Sequence, residues 1–392
     1  MLIFKLAFRN IIARGLRTWL NVVVLSIAFV TLIWMQGLFD GMNEHVMKAM
    51  IQTQLGGGQF WHEAYDPFDP LTIEDARAPL SPSLTELVEA GKATPILITS
   101  GAIYPDGRVQ TALLKGIDPH QRIVNIPSEN LKTDNDDVIL GLIGTRMAEH
   151  THLRVGDYVT VRWRDAHGTF DAADVQIVHI MSTTVSAVDA GQIWLPLETL
   201  REMLGLPGEA TYLILNKTIE TVPSADAVWK HRDLDFLLSD LRALVKSKKI
   251  GSSIFYTLLL SMALLAIFDT QVLSVFKRRR EIGMLMALGM HRLKVINLFT
   301  LEGALHGIMA LFVGAIYGIP LMWYMVNRGL PLPKTAGDFG IALPSALYST
   351  YSAGLLLWTT LLVLITVTIV SFLPTRRITK LKPTDALRGK MS

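Results

Sequence analysis

Three ionisable residues stand where the chain otherwise carries almost none. Asp269 is the only charged residue between Ile250 and Phe276, and Glu302 the only one between Val295 and Val326. His306 follows Glu302 by four positions, so the two share a helical face. A carboxylate in such an apolar run is costly against lipid and must face protein or water. Two chemistries fit these intramembrane polar residues. One is a pair of acids bonded to arginine or backbone groups inside the protein, with a local hydrogen bond from His306. The other is a proton relay, for which no accompanying transport motif is present. Asp269, toward the cytoplasmic third of its run, can alternatively snorkel or bond to Thr270 and Lys277.

No other group of residues reads as catalytic. His45, His62, His120, His150, His152, His167, His179 and His231 form no HExxH or other compact metal set. His150 and His152 beside Glu149 are a weak pair, and no Ser-His-Asp arrangement is legible. Gly56-Gly57-Gly58 lacks the strand–helix context of a phosphate loop. No GxxxxGK[ST] stretch occurs, so ATP and Mg, if used, belong to another chain. There is no cysteine, which excludes disulfides and thiolate metal sites. The expectation is no catalytic residue, no metal and no cofactor in this chain.

The elements that must position the polar residues follow from the charge pattern. The 392 residues are 50% hydrophobic and only 18% charged, against about 25% in ordinary soluble domains. The deficit is concentrated in four long runs, and about 20 apolar residues suffice to cross a bilayer. The predicted fold class is an α-helical membrane protein with four transmembrane helices. A large α+β periplasmic domain lies between spans 1 and 2. The spans are placed at 18–40, 250–276, 294–327 and 345–373. Lys5, Arg9, Arg14 and Arg17 precede the first span without an acid; residues 1–17 read as an amphipathic interfacial helix. A second basic stretch, KRRREIGMLMALGMHRLKVI, runs from Lys277 to Ile296, and a third occupies the tail 374–392. Short basic flanks stay in the cytoplasm, so both termini and the 277–293 segment are expected there, with a short external loop at 328–344. These flanks call for membrane lipids and a protein partner, and for no nucleic acid.

The external part, 41–249, begins with a helix continuing to Leu55 and a break at Gly56. Gln59–Pro82 is rich in Pro and Asp and reads as irregular. Strands are expected at Ala93–Ile103, Arg108–Ile117, Val138–Leu140, Tyr158–Trp163 and Asp174–Ile180. Gln192–Pro196 reads as an edge strand because it ends on proline, and Thr211–Leu215 as the last strand. Helices are expected at Leu84–Ala90, Gly144–His150 and Leu197–Leu204. Ala225–Ile250 reads as one helix, from its stripe of Leu234, Leu237, Leu238, Leu241 and Val245.

The segment KRRREIGMLMALGMHRLKVINLFTLEG resembles the signature of the FtsX-like/MacB-like permease family in its LolC/LolE-type arrangement. The residues that carry it are Glu281, Ile282, Gly283, Ala287, Leu288, Gly289, Glu302 and Gly303. The opening LAFRNIIARGLRTWL and the tail PTRRITKLKPTDALRG resemble the same family. The resemblance implies a membrane subunit of a type VII ABC transporter in the bacterial inner (cytoplasmic) membrane. Its implied partners are an ABC ATPase dimer, a second permease subunit (identical or paralogous), and a periplasmic carrier, adaptor or lipoprotein. It also implies that the segment after span 2 is a coupling helix docked on the ATPase. The residues suit that role. A helix over Glu281–Leu288 would present Ile282, Leu285, Met286 and Leu288 to a groove, and Gly283 and Gly289 belong to the same coupling segment. Arg278, Arg279 and Arg280 would meet acidic residues or lipid phosphates. A basic flank simply resting on lipid is the alternative. Lipoprotein release from the inner membrane is the leading function. Efflux of amphiphilic small molecules with an adaptor, or control of a periplasmic cell-wall hydrolase, are the alternatives.

Overall fold

The computed structural model describes residues 16–132, 138–182, 191–219, 226–331 and 346–376. The expected N-terminal amphipathic helix, most of the 328–344 loop and nearly all of the basic tail lie outside them. Alternating and continuous runs of Val, Ile and Leu become strands. In chain order these are β1 (Gln59–His62), β2 (Ala93–Ile103), β3 (Gln110–Ile117), β4 (Ile139–Gly144) and β5 (Tyr158–Arg164). They continue with β6 (Phe170–Met181), β7 (Gln192–Pro196), β8 (Tyr212–Leu215) and β9 (Trp229–Arg232). The sheet order is β9-β1-β8-β2-β3-β7-β4-β6-β5, and β2 also pairs β5, so part of the sheet closes on itself. The closure needs close backbone approach at Gly101, where an added Cβ would lie 3.1 Å from the Arg162 carbonyl oxygen. Two pairings are parallel, β3–β7 and β4–β6.

The period of two in each strand sorts side chains onto two faces. One face gathers Leu97, Leu114, Val161, Val175, Ile193 and Leu195, and packs on α4 (Leu197–Leu204) through Leu200. The other gathers Ile96, Ile98, Ile117, Trp194, Tyr212 and Ile214. Both belong to the unit formed chiefly by His45–Leu244.

Four expectations are corrected here. Gln192–Pro196 is interior, between β3 and β4, because Pro196 sits at the last rung, where its missing N–H breaks no ladder. Thr211–Leu215 is not the last strand, since Trp229–Arg232 adds to β1, which itself arises from the segment read as irregular. Ala225–Ile250 is therefore not one helix. After β9 come a single turn at Leu234–Leu237, capped by the Asp233 carboxylate accepting from Phe236 N, and then the long helix from Ser239.

The second unit contains the apolar helices. Among the described residues four are long and apolar enough to cross a membrane, and the β-rich domain lies between the first and second in sequence. α1 spans Leu16–Met50 and ends in a π turn at Ile51–Leu55, stopped by Gly56 at φ +59°. With α2 (Pro82–Glu89), α3 (Thr145–Thr151) and α5 (Leu234–Leu237) in the other unit, the remaining helices continue the numbering. They are α6 (Ser239–Lys277), α7 (Arg279–Ala287), α8 (Arg292–Asn327) and α9 (Ala353–Thr375). Small residues set the α8–α9 approach. A Cβ on Gly303 would lie 2.2 Å from Ser371 Oγ, and one on Gly307 would touch Val367. Enlarging Gly303 would thus force the helices apart, an overpacking cost of about 1–3 kcal/mol.

Candidate functional site

The short helix α7 lies between two candidate spans, and its sequence explains both its ends. Glu281 is in its first turn, where a negative charge suits the helix dipole. At the other end Gly289 takes φ +89°, a left-handed conformation that favours glycine. Gly289 N donates to Met286 O at 3.1 Å and Met290 N to Leu285 O at 3.0 Å. This is a Schellman end, and it gives Ala287-Leu288-Gly289 a physical reason.

One arginine ties the helix to its neighbours. Arg278 follows the end of α6, and its guanidinium donates to Glu281 on α7 and, at 3.0 Å, to the Glu302 carboxylate on α8. It also lies over the Phe299 ring, 4.8 Å from the centroid. The Glu302 side chain is 0% exposed, and that of Arg278 18%. His306 Nδ1 lies 2.7 Å from the Glu302 backbone oxygen. Glu302 and His306 thus sit in one network with Arg278. Asp269 is not part of it. Its side chain is exposed on α6, and Thr270 donates to Ala266 O, so the expected bonds from Asp269 to Thr270 and Lys277 are not formed.

The apolar residues of α7 divide in a way the sequence did not indicate. Ile282 is 0% exposed and packs with Val275, Val295, Ile296 and Phe299, joined by Leu285 and Met286 at the edge. Gly283 is buried as well. The expected outward set of Ile282, Leu285, Met286 and Leu288 is corrected accordingly. Ile282 anchors the helix to its own chain, because residues 282 and 286 lie on the face turned to α6 and α8. Leu288, 79% exposed, and Met284, 55% exposed, are what the segment offers outward. Arg280 and Glu281 are exposed beside them, and the Arg279 side chain lies outside what is described. Met284 was missed, although its spacing of four from Leu288 places both on one face.

Among the described residues no cluster of His, Asp and Glu could hold a metal ion. What the segment can do is mechanical: a helix fixed along one side by a buried core and an ion pair, with an apolar tip left uncovered.

The family described as FtsX-like permease C-terminal matches residues 253–383, which include α7 and its flanking helices. The chain is similar to the lipoprotein-releasing system transmembrane protein LolC of Xylella fastidiosa (strain 9a5c), 24% identical over 74% of this chain and 76% of the relative. LolC of Neisseria meningitidis serogroup B is 24% identical over 76% and 77%. The macrolide export ATP-binding/permease protein MacB of Burkholderia cenocepacia is 26% identical over 58% of this chain and 31% of the relative. The family match over the C-terminal third and the similarity to LolC and MacB support an ABC transporter permease of the FtsX/MacB/LolC type.

Proposed function

We propose that this chain is the membrane subunit of an ATP-driven transporter that transmits mechanical work to its periplasmic domain, and that it serves lipoprotein release from the bacterial inner membrane. The observation that carries the first part is the uncovered apolar tip of α7, Met284 and Leu288, on a helix whose opposite side is locked down. An exposed apolar tip beside basic residues suits a groove on a separate ATPase. ATP and Mg would be held there, on an ATPase dimer. The basic flanks at 1–17, 277–294 and 374–392 support a cytoplasmic side for both termini and for α7. Similarity to LolC over three quarters of the chain supports the substrate class. A second permease subunit and a periplasmic carrier complete this reading. The MacB relatives favour a second one, efflux of an amphiphilic small molecule with a periplasmic adaptor.

Purification from native membranes in mild detergent tests the proposal. An ABC ATPase co-purifies with the wild-type chain, and the double substitution Met284→Asp, Leu288→Asp reduces its recovery about tenfold or more. The variant keeps the wild-type melting temperature, since both side chains are outside the core. A co-purifying lipoprotein or carrier supports release, and an adaptor supports efflux. A wild-type chain that brings no ATPase under conditions preserving such complexes contradicts the transporter reading.

A further inference from the structure

The unit formed by His45–Leu244 contains a cavity of about 570 Å³, a size suited to a small molecule. It opens on the sheet face that carries Trp61 and Tyr212, directly opposite one another on β1 and β8. Tyr65 stacks on Tyr212 with ring centroids 5.6 Å apart, and Tyr65 also meets Trp61 edge-on at 5.2 Å. The walls are therefore aromatic.

Two cations reach this space, and neither has an anionic partner among the described residues. Lys115 is 6% exposed, on the apolar face of β3 opposite Trp194. Its ammonium lies over two ring faces, 5.1 Å from the Trp194 centroid and 6.0 Å from that of Tyr212. Arg232 stands over Phe236 at 4.3 Å and Trp61 at 5.6 Å, and its Nε is buried with no hydrogen-bond acceptor. Buried charges are ordinarily paired, and an unmet donor is costly. Aromatic faces return only about 1–2 kcal/mol per cation. The acids lining the cavity, Glu63, Asp66 and Asp240, are all exposed, so they belong to its mouth. Glu63 faces Lys230 at 3.8 Å, and Asp66 accepts from Phe68 N. Among the described residues the interior is cationic and aromatic, with the acids at its mouth.

We propose that this cavity binds a small amphiphilic carboxylate, its two oxygens taken by Lys115 and Arg232 and its apolar or aromatic body set against Trp61, Tyr65 and Tyr212. The Lys115 ammonium and the Arg232 guanidinium are both donor-only groups, and Arg232 Nε has no acceptor, so a carboxylate, which only accepts, suits the pair. The cavity is too small for a two-chain lipid. A cationic amphiphile would meet the acids of the mouth but would place its charge beside Lys115 and Arg232. The site lies in the His45–Leu244 unit and its argument does not rest on the ATPase partner.

Equilibrium dialysis of radiolabelled naphthoate against the full chain in lipid nanodiscs, with empty nanodiscs as the blank, is the test. Saturable binding is expected, weakened at least about tenfold by Lys115→Met and by Arg232→Met. Naphthylmethylammonium, of the same shape and opposite charge, is expected to show no saturable binding. Lys115→Met decides the matter if Arg232→Met does not fold, because it exchanges a buried amine for an apolar chain of similar length. Unchanged naphthoate binding in a folded Lys115→Met protein overturns the proposal. So does equal binding of the ammonium compound, or no binding of naphthoate above the blank.

Discussion

Arg278→Met lowers the stability of the apolar helical unit by about 3–5 kcal/mol, the usual cost of removing one member of a buried ion pair. The wild-type guanidinium lies 3.0 Å from a carboxylate that is 0% exposed, and it also bonds Glu281 and covers Phe299. Without it, the Glu302 carboxylate stays in place and loses that cation. The double variant Arg278→Met, Glu302→Gln removes the charge as well and recovers most of the loss. Thermal unfolding in detergent reads both, with the double variant melting between the single variant and wild type or at the wild-type midpoint. Equal midpoints for wild type and Arg278→Met would mean that the pair contributes nothing. The substitution also frees the start of α7, so ATPase coupling is expected to fall more steeply than stability alone explains.

Lys115→Met has the opposite sign. Burial pulls the Lys115 amine from 10.5 down to about 8. That depression corresponds to roughly 3 kcal/mol of folding stability withheld at neutral pH. Below about pH 8 both folded and unfolded chains hold the proton, and the penalty is complete. Between about 8 and 10.5 the unfolded chain holds more protons than the folded one, so wild-type stability rises with pH. Above that window both forms are neutral and the penalty is gone. Lys115→Met is therefore expected to raise the melting temperature of the His45–Leu244 unit by roughly 6–12 °C at pH 7. The advantage shrinks steadily toward pH 10.5. Melts followed through tryptophan fluorescence at several pH values check this, and a variant less stable than wild type at pH 7 would refute it.

The parts legible in the sequence are those where one residue's cost dominates. Charges are excluded from bilayer-crossing helices, so the four long helices stand out from the charge pattern alone. Gly289 is legible for a similar reason, because a helix end in the left-handed region favours glycine. The 3.6-residue period shows that α7 has an apolar face, but the same period serves a core and a docking surface. Whether Ile282 turns inward or outward is decided by Val275, Val295 and Phe299 on neighbouring helices. Asp269 illustrates the converse. Its chemistry is evident in the sequence, and its position on the exposed side of α6 is not.

In the β-rich domain, strands with dense apolar runs such as β2 and β7 are legible almost to the residue. β9, Trp-Lys-His-Arg, is not, since a short edge strand needs little apolar content and its pairing with β1 spans a long stretch of chain. The cavity was invisible for the same reason. Lys115, Arg232 and Trp61 come from three strands distant in sequence, and a lysine within a strand reads as an outward residue until the sheet face is known.

The most direct test of the central account is site-specific photo-crosslinking in native membranes, with a photoreactive side chain placed at Leu288 and, separately, at Ile282. The account predicts an ABC ATPase adduct from position 288 and none from 282, whose side chain is enclosed by its own chain. Crosslinks from 288 to lipid alone, with no ATPase adduct, would contradict it.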